Sequence, residues 1–457
     1  MDTFVNVSVE ELSEPLTFPV EAHTSQEYAR AEGDRLWSKV WIHAGRVEEI
    51  PTVGDYLTFD IGEDSIVIVR SAPETIKAYH NVCSHRGRRL VDTPPGAQCA
   101  HGHKKTFVCG FHGWTYDLNG KCTFKLDEPD WKNALTEERT RLNEVKADTW
   151  GGWIFINMDP NAGSLREYLE PAASILDPFE FAKMRYKWRQ WVIFDCNWKT
   201  AIEAFMEPYH VAGTHTQMLE HGQYYAYSQA YGLHGVSGFD ERDPSLKMKQ
   251  SSTITRAGKG SDPRVSTYKL QNEIYTTVNK ASTTETLVNA AKRLVDELPE
   301  GTPADAVIRH WLASARADDA ARGVIWPTIT PEQMSKAGLA WSIFPNMAIL
   351  QGITFALCYR VRPFGDSPHK CIFESYAIER YPQGAEPKTE WVYAEPTAEK
   401  WGLVLSQDFS NMGAVQKGIR SRGFRGTLPN PHQERKVTNF HRNLAKYMGT
   451  GAPRLLK

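Results

Sequence analysis

The spacing of apolar positions divides the chain into stretches with different secondary-structure patterns. From residue 25 to residue 40, apolar side chains recur at helical spacing and charges fill the other face, which predicts an opening helix. From 38 to about 160, short runs of β-branched and aromatic residues alternate with turn residues, and no long amphipathic helix interrupts them. We therefore expect residues 1–37 to form an N-terminal arm and helix, and residues 38–160 to form a small antiparallel β domain.

Residues 161–457 mix strand and helix patterns. A predicted strand at 188–195 is followed much later by a meander of short strands between 338 and 381. Long helical patterns then run from 396 to 418 and from 434 to 448. These patterns predict an α+β domain with an antiparallel sheet and a long C-terminal helix.

Residues 216–335 contain few regular patterns and many loop-like stretches. One helix is predicted at 282–298, opened by a capping box of Ser282 and Glu285. Long insertions of this kind often cover a functional site, so we expect residues 216–335 to act as a lid or insertion region.

Composition narrows the functional classes. The 457 residues are 41% apolar and 24% charged with a net charge of −2, so no basic excess points to nucleic acid or to an anionic membrane. No apolar run is long enough to span a bilayer, and the N-terminus lacks the features of a secretory signal. Seven cysteines, an odd number at low density, argue against a disulfide scaffold. We expect a cytoplasmic protein in which some cysteines are ligands.

Two short motifs in the β domain carry candidate metal ligands. Cys83 and His85 stand in the first, and Cys109 and His112 stand in the second, 23 residues further on. Two thiolates and two imidazoles can hold a [2Fe–2S] cluster, with the cysteines on one iron and the histidines on the other. A structural zinc site with the same four ligands is the alternative. Cysteines and histidines also cluster between residues 99 and 122, where a second metal is the alternative to ordinary loop residues.

A second candidate site lies in residues 197–215. Asn197 is a suitable N-cap for a short helix, and Pro208 should loosen that helix, so that His210 and His215 fall in an irregular turn. Two imidazoles with a distant carboxylate would leave open positions on a transition metal, as in non-haem iron oxygenases. The alternative is two ordinary histidines beside a helix end.

The two Cys–His motifs, with the residues around them, resemble the Rieske domain of ring-hydroxylating oxygenases. The matching residues run from Asn81 to Gly87 and from Cys109 to Gly120. The resemblance implies one [2Fe–2S] cluster per subunit, with Cys83 and Cys109 on one iron and His85 and His112 on the other.

Residues 197–215 likewise resemble the iron-binding segment of the large subunits of these oxygenases. The resemblance implies one Fe(II) per subunit with His210 and His215 as ligands, and a carboxylate on the late helix as the third. Asp408, four residues before Met412, matches that carboxylate best. Its apolar flanks Leu403, Leu405 and Phe409 suggest a buried face; an exposed helix acid is the alternative. The implied fold is α+β: a Rieske antiparallel β domain inserted into a START-like, helix-grip catalytic domain at 161–457, to which residues 1–37 also belong.

Two positions depart from the usual pattern of this family. Ala204 stands where asparagine is frequent, and Glu207 stands where aspartate is usual. In the family that carboxylate links an iron-ligand histidine to a cluster-ligand histidine of the neighbouring subunit. Glutamate adds one methylene, so the bridge could persist or be loosened; a solvated helix charge is the alternative.

The resemblance implies an oxygenase that takes O2 and electrons from NAD(P)H through a separate reductase, ferredoxin or both. We expect a small apolar substrate, aromatic or polycyclic, and no nucleic-acid or membrane partner. Monooxygenation or oxidative demethylation of a non-aromatic substrate is the alternative, and an electron-transfer Rieske protein is a further one. A homotrimer is expected, with or without a β subunit in an α3β3 assembly, because the family closes the distance between its metals by head-to-tail trimerisation.

Overall fold

The structure is a computed structural model that describes residues 8–220, 225–240 and 262–456. Residues 221–224 and 241–261, which belong to the predicted insertion region 216–335, lie outside the described residues. The described residues fold into two compact units. One unit consists of residues 26–168 with 363–367, and the other consists of residues 8–25, 169–362 and 368–456 with the gaps given above. We call them the β unit and the α+β unit.

The strands are labelled in chain order. They are β1 (Leu16–Thr17), β2 (Ile42–Arg46), β3 (Asp55–Ile61), β4 (Asp64–Ala72), β5 (Thr75–His80), β6 (His101–His103), β7 (Phe107–Val108), β8 (Thr115–Tyr116), β9 (Cys122–Phe124), β10 (Glu144–Trp150), β11 (Trp153–Asn157), β12 (Arg185–Phe194), β13 (Tyr225–Tyr231), β14 (His234–Asp240), β15 (Ala340–Ile343), β16 (Met347–Gln351), β17 (Phe355–Pro363), β18 (Cys371–Glu379), β19 (Trp391–Tyr393) and β20 (Arg454–Leu455).

The helices are labelled in the same way. They are α1 (Glu21–Thr24), α2 (Gln26–Glu32), α3 (Glu137–Thr140), α4 (Leu165–Leu169), α5 (Ala172–Leu176), α6 (Trp198–Glu203), α7 (Val211–Thr214), α8 (Pro263–Thr277), α9 (Glu285–Lys292), α10 (Leu294–Glu297), α11 (Ala304–Ala321), α12 (Pro331–Ala337), α13 (Ala398–Trp401), α14 (Leu403–Ile419) and α15 (Arg435–Met448). In the part of the chain that the structure describes, none of these helices is both long and apolar enough to span a bilayer.

The β unit is built from two antiparallel sheets. The larger has the order β2-β11-β10-β5-β4-β3-β6, and the smaller has the order β7-β8-β9. Strand β5 ends three residues before Cys83, and β7 ends immediately before Cys109. The cysteines are therefore held at strand ends, where a short loop can turn a side chain out of the sheet.

The α+β unit is built around one sheet of order β13-β14-β15-β16-β17-β18-β12-β19. The four successive pairs from β13 to β17 are antiparallel, as is β12 with β18, whereas β12 and β19 run parallel. Helix α14 packs on one face of this sheet, with the Phe409 ring 5.4 Å from that of Phe373 and 4.8 Å from that of Phe194. The expected α+β class, the antiparallel sheet and the long late helices are confirmed.

One predicted helix start was wrong. Helix α9 begins at Glu285 with Thr284 as its N-cap, and the Thr284 hydroxyl accepts a hydrogen bond from the Leu287 N–H. Ser282 instead has a φ of +56° and lies outside the helix. Three hydroxyl residues precede this helix, and the closest one with extended backbone caps it.

Candidate metal centres

The two Cys–His loops of the β unit share one backbone design. The Gly87 N–H donates to the Cys83 carbonyl at 3.0 Å, and the Gly113 N–H donates to the Cys109 carbonyl at 3.0 Å. Both glycines have positive φ, 75° and 70°, where any side chain would be strained. Each loop therefore closes on its own cysteine, and the glycines of the sequence motifs are required by that closure.

The two thiols of these loops are buried. Cys83 and Cys109 are each 2% exposed, and the Cys83 Sγ lies 3.1 Å from the Tyr116 hydroxyl. The same hydroxyl accepts the Ser84 N–H at 3.1 Å, so its own proton is available to the sulfur. Burial raises the pKa of Cys83, and the neighbouring Cys109 adds to that rise. Two thiolates so placed need a positive partner, which iron ions would supply.

The imidazole rings of the two loops, those of His85 and His112, lie close together. The ring of His85 stacks on Trp114 at 4.9 Å and 8°, and it meets His112 edge-on at 4.6 Å. Its Nδ1 is buried and makes no hydrogen bond within the described residues. A buried polar atom without a partner costs about 1–3 kcal/mol, so a metal at this nitrogen fits the structure.

The chemistry of these four donors fits a [2Fe–2S] cluster. Two thiolates can bind one iron and two imidazoles the other. A tetrahedral zinc ion accepts the same donor types.

The second predicted site assembles in the α+β unit. His210 and His215 flank the short helix α7, and Asp408 lies on α14. The Asp408 Oδ1 lies 2.9 Å from the Nε2 of His215 and 3.5 Å from the Nε2 of His210. Asp408 and His215 are 6% and 2% exposed. Two imidazoles and one carboxylate thus face a common point, with nothing else of the chain's own ligand types completing the set within the described residues.

Both histidines are oriented through their other ring nitrogen. The Nδ1 of His210 donates to the Glu207 Oε1 at 2.8 Å, and the Glu207 Oε2 accepts the His210 backbone N–H at 3.0 Å. The Nδ1 of His215 donates to the Gln407 Oε1 at 2.8 Å, and Gln217 donates to the same oxygen at 3.0 Å. Such partners fix the ring and leave Nε2 free for a metal, as metal-binding histidines require.

The charges around this site favour a cation. Burial lowers the pKa of His210, but the hydrogen bond and charge of Glu207, together with Asp408, outweigh it and raise that pKa to about 9. The field that holds a proton on this ring also attracts a metal ion. Neutral nitrogen and carboxylate ligands with open positions suit Fe(II), so the donor set fits a mononuclear iron.

A second histidine–carboxylate group in the same unit was not predicted from the sequence. The Glu203 Oε1 accepts from the Nε2 of His23 at 2.8 Å and from the Nε2 of His441 at 2.7 Å. Both rings are nearly fully buried, and the two imidazoles lower the pKa of Glu203 although burial acts in the opposite direction. The His23 Nδ1 is buried without a partner within the described residues. We interpret this group as a clamp that ties α1, α6 and α15 together.

The cysteines and histidines between 99 and 122 do not assemble into a metal group within the described residues. The His101 ring bonds Glu49 at 3.0 Å, and the His103 ring bonds Asp55 at 2.9 Å. These two histidines lie on strand β6 and are each bonded to a carboxylate.

Comparison with known proteins identifies the family. Residues 40–130 match the model of the Rieske [2Fe-2S] domain, and residues 177–450 match that of the ring hydroxylating alpha subunit (catalytic domain). The glycine betaine monooxygenase oxygenase subunit of Pseudomonas aeruginosa is 29% identical over 204 residues, which is 45% of this chain and 46% of that protein. The benzene 1,2-dioxygenase alpha subunit of Pseudomonas putida is 30% identical over 246 residues, 50% of this chain and 53% of that protein. The chain therefore matches about half the length of these relatives.

Solved structures agree on the fold. A quaternary ammonium Rieske monooxygenase superposes with a TM-score of 0.64 at 17% identity, covering 98% of this chain and 99% of that one. A naphthalene 1,2-dioxygenase superposes with a TM-score of 0.65 at 17% identity, covering 99% of this chain and 95% of that one. Because the catalytic-domain model alone spans more than half of the chain and the Rieske model precedes it, the protein belongs to the alpha subunits of the Rieske non-haem iron oxygenases, a family of oxidoreductases that carry a [2Fe–2S] cluster and a mononuclear iron.

Proposed function

We propose that this chain is the oxygenase component of a system that hydroxylates a small apolar ring compound with O2. Electrons would come from NAD(P)H through a separate reductase, ferredoxin or both. The single observation that carries the proposal is the convergence of His210, His215 and Asp408, with all three ligand atoms within 4.8 Å of one another. Two family models over the same chain support it.

The proposed ligands divide between the two units. Cys83, Cys109, His85 and His112 would hold the cluster, and His210, His215 and Asp408 would hold the ferrous ion. When bound, the cluster supplies single electrons and the iron offers open coordination positions for O2. Glu207 keeps a proton on the Nδ1 of His210, so that the Nε2 lone pair stays directed at the iron position.

Aromatic side chains beside the proposed iron ligands support an apolar substrate. Phe205 stacks on Tyr359 at 4.0 Å, and Phe373 lies 5.2 Å from Phe205 and 5.4 Å from Phe409, the neighbour of Asp408. These rings are buried, exclude water from their surroundings and provide apolar contact area.

Oxidation of a quaternary ammonium compound is the second candidate, because glycine betaine and carnitine monooxygenase subunits are among the relatives. A cation of that kind binds the open faces of aromatic rings. Here Phe205 and Tyr359 cover one face of each other, and the nearby carboxylates of Glu207 and Asp408 already bind imidazoles. These contacts favour a neutral ring compound.

We also propose a closed homotrimer, with or without a β subunit, in which Glu207 bridges to the cluster histidine of a neighbouring subunit. Both Glu207 oxygens contact His210, and each retains a second lone pair for such a partner. Light scattering on the purified protein should give a mass of three chains, or of three chains with three small subunits; a monomer would contradict the assembly.

The experiment that tests the function compares wild-type protein with His210→Ala. Both should show the red-brown colour and the EPR signal of the reduced cluster. Only the wild type should form product from a panel of ring compounds, including naphthalene and biphenyl, with O2 and a generic reductase. The matched control is His310→Ala, which removes a half-buried histidine bonded to Glu297 and should leave turnover unchanged.

The outcomes separate the candidates. Product formation by His210→Ala would refute the iron assignment. Turnover of γ-butyrobetaine or choline-type compounds, with none of ring compounds, would favour the second candidate. Reversible reduction of the cluster without O2 consumption under any substrate would identify an electron-transfer protein.

A further inference from the structure

One cysteine of the β unit differs from the other cysteines of the chain in its exposure. All seven cysteines lie in the described residues; six are buried, and Cys99 is partly exposed. Reaction of a cysteine with a solute requires access to the sulfur and a means of forming the thiolate, which is the nucleophilic form. Cys99 meets the first condition, and the two side chains described next supply the second.

The backbone around Cys99 holds its side chain beside an imidazole. Cys99 and His101 are two residues apart where β6 begins, and side chains at that spacing in an extended chain point to the same face. Ala100 is fixed between them, because its N–H donates to the Thr58 hydroxyl at 2.8 Å and its carbonyl accepts the Thr58 N–H at 2.9 Å. The Cys99 Sγ lies 3.5 Å from the Nδ1 of His101 and 4.0 Å from its Nε2.

A carboxylate completes the group. The Nε2 of His101 lies 3.0 Å from the Glu49 Oε2, and the Glu49 side chain is 2% exposed. The Glu49 Oε1 accepts the Arg46 backbone N–H at 2.9 Å, which holds the carboxylate in place. Burial lowers the pKa of His101, but its hydrogen bonds to Cys99 and Glu49, and the charges of both, outweigh burial and raise that pKa to about 10. The ring can therefore hold a proton taken from the sulfur.

The other acids on the two neighbouring elements, the turn Val47–Glu49 and strand β3, have partners of their own. These pairs are Glu48 with Arg46 at 2.8 Å, Asp55 with His103 at 2.9 Å and Asp60 with Arg89 at 3.6 Å. Glu49 is thus the acid of these elements that faces the His101 ring. A nucleophile, a base and a carboxylate that orients the base are the parts of an activated cysteine.

We propose that Cys99, His101 and Glu49 form a modification site, at which the Cys99 sulfur reacts with a low-molecular-weight disulfide to give a mixed disulfide. The Sγ attacks one sulfur of the reagent; a new S–S bond forms, and the old one breaks with its electron pair leaving on the second sulfur. The Cys99 proton passes to the Nδ1 of His101 and then to that leaving sulfur. The protein thiol is oxidised, and the reagent is reduced to one free thiol.

His101 and Glu49 have different parts in this reaction. His101 moves the proton, and Glu49 is a positioning residue that acts through the ring. The site uses none of the residues proposed to hold the cluster or the iron, so the inference goes beyond the proposed oxygenation and does not depend on its substrate.

The test exposes the holoenzyme to oxidised glutathione and locates the adduct by mass spectrometry of its peptides. Rates are measured for wild type, Cys99→Ser and His101→Gln at about pH 6.5 and at about pH 8.5, the latter near the ordinary pKa of a free cysteine. The visible spectrum of the cluster reports that each protein stays folded and loaded. The matched control is His103→Gln, which removes another exposed histidine of β6, one whose ring bonds Asp55.

We expect one glutathione adduct on the wild type, at Cys99, and none on Cys99→Ser. His101→Gln should react at least about tenfold more slowly at about pH 6.5, where few unassisted thiols ionise, and the difference should shrink at about pH 8.5. His103→Gln should react like the wild type. Glu49→Gln keeps an acceptor without the charge, so its rate should fall between those of wild type and His101→Gln. It replaces His101→Gln in the comparison if that variant does not hold the cluster.

Three results would overturn the proposal. The first is a wild type that forms no adduct, or forms adducts at several cysteines, since either would show that Cys99 is not selectively reactive. The second is an equal rate for wild type, His101→Gln and His103→Gln at both pH values. The third is a loss of rate in His101→Gln of the same size at both pH values, which would make His101 a packing residue and not the base.

Discussion

Replacing Gln407 by alanine should weaken metal binding at the His210–His215–Asp408 site by about 10- to 100-fold, or about 1.4–2.7 kcal/mol. The Gln407 Oε1 is the acceptor for the His215 Nδ1–H at 2.8 Å, and the ring is 2% exposed, so water cannot readily replace the lost partner. Without that acceptor the imidazole can rotate or change tautomer, and its Nε2 lone pair is no longer held towards the metal.

The affinity should be measured by anaerobic reconstitution of the iron-depleted protein with Fe(II) against a competing chelator. The visible spectrum of the Rieske cluster, whose predicted ligands lie in the β unit, reports that the protein stays folded. Gln407→Glu keeps an acceptor at the same position and should bind the metal at least as tightly as wild type. Asn411→Ala removes an exposed side chain one turn later on α14 and should change nothing.

Two results would refute this reasoning. An affinity of Gln407→Ala within threefold of wild type would mean that Asp408 and packing alone orient His215. An equal loss in Asn411→Ala would mean that the helix, and not the hydrogen bond, was disturbed.

Three further substitutions and one change of pH have defined expectations. Glu207→Gln keeps an acceptor but removes the charge, and it should slow cluster-to-iron electron transfer in single-turnover experiments without loss of either metal; an unchanged rate would mean that no carboxylate bridge is used. Glu203→Gln should destabilise the protein by about 2–4 kcal/mol, visible as a lower Tm, because two buried histidines lose a charged acceptor. Folding lowers the pKa of Glu203 from 4.5 and that of His441 from 6.5. Both groups therefore stabilise the folded protein at neutral pH, and this stabilisation is lost as the pH falls. A wild-type Tm that increases when the pH is lowered from 7 to 4 would contradict this. Tyr116→Phe removes the hydroxyl bonded to the Cys83 sulfur and should lower the cluster's reduction potential in a redox titration, since hydrogen bonds to the sulfurs favour the reduced state.

The sequence predicted those parts of the sites that are encoded within a few residues. The Cys83–Gly87 and Cys109–Gly113 loops each close on themselves, so ligand type, spacing and glycine position are all local. The pair His210 and His215 is local for the same reason. Asp408 is not local, and only the family resemblance selected it from the other acids of the chain.

The residues that sequence reasoning missed act across long separations. Gln407 and His215 are 192 residues apart, and His441 and Glu203 are 238 residues apart. No periodicity or spacing rule links such pairs, because the contact exists only after the sheet has brought α6, α14 and α15 together. Gln407 had one usable signal, its position next to the candidate ligand Asp408. His23 had none, since it lies in a short N-terminal helix without a motif.

The two histidine–carboxylate groups of the α+β unit show why ligand type alone does not define a metal site. In both groups the Nε2 atoms of two imidazoles face one carboxylate oxygen at 2.7–3.5 Å. In the Asp408 group, the Nδ1 of His210 and the Nδ1 of His215 each have a hydrogen-bond acceptor. The Nε2 of each ring can therefore be unprotonated and direct its lone pair at a cation. Around Glu203 the Nδ1 of His23 has no acceptor within the described residues, so the stable arrangement keeps the proton on Nε2 and donates it to the carboxylate. The partner of the far nitrogen therefore decides whether two histidines and an acid hold a metal or hold the fold together.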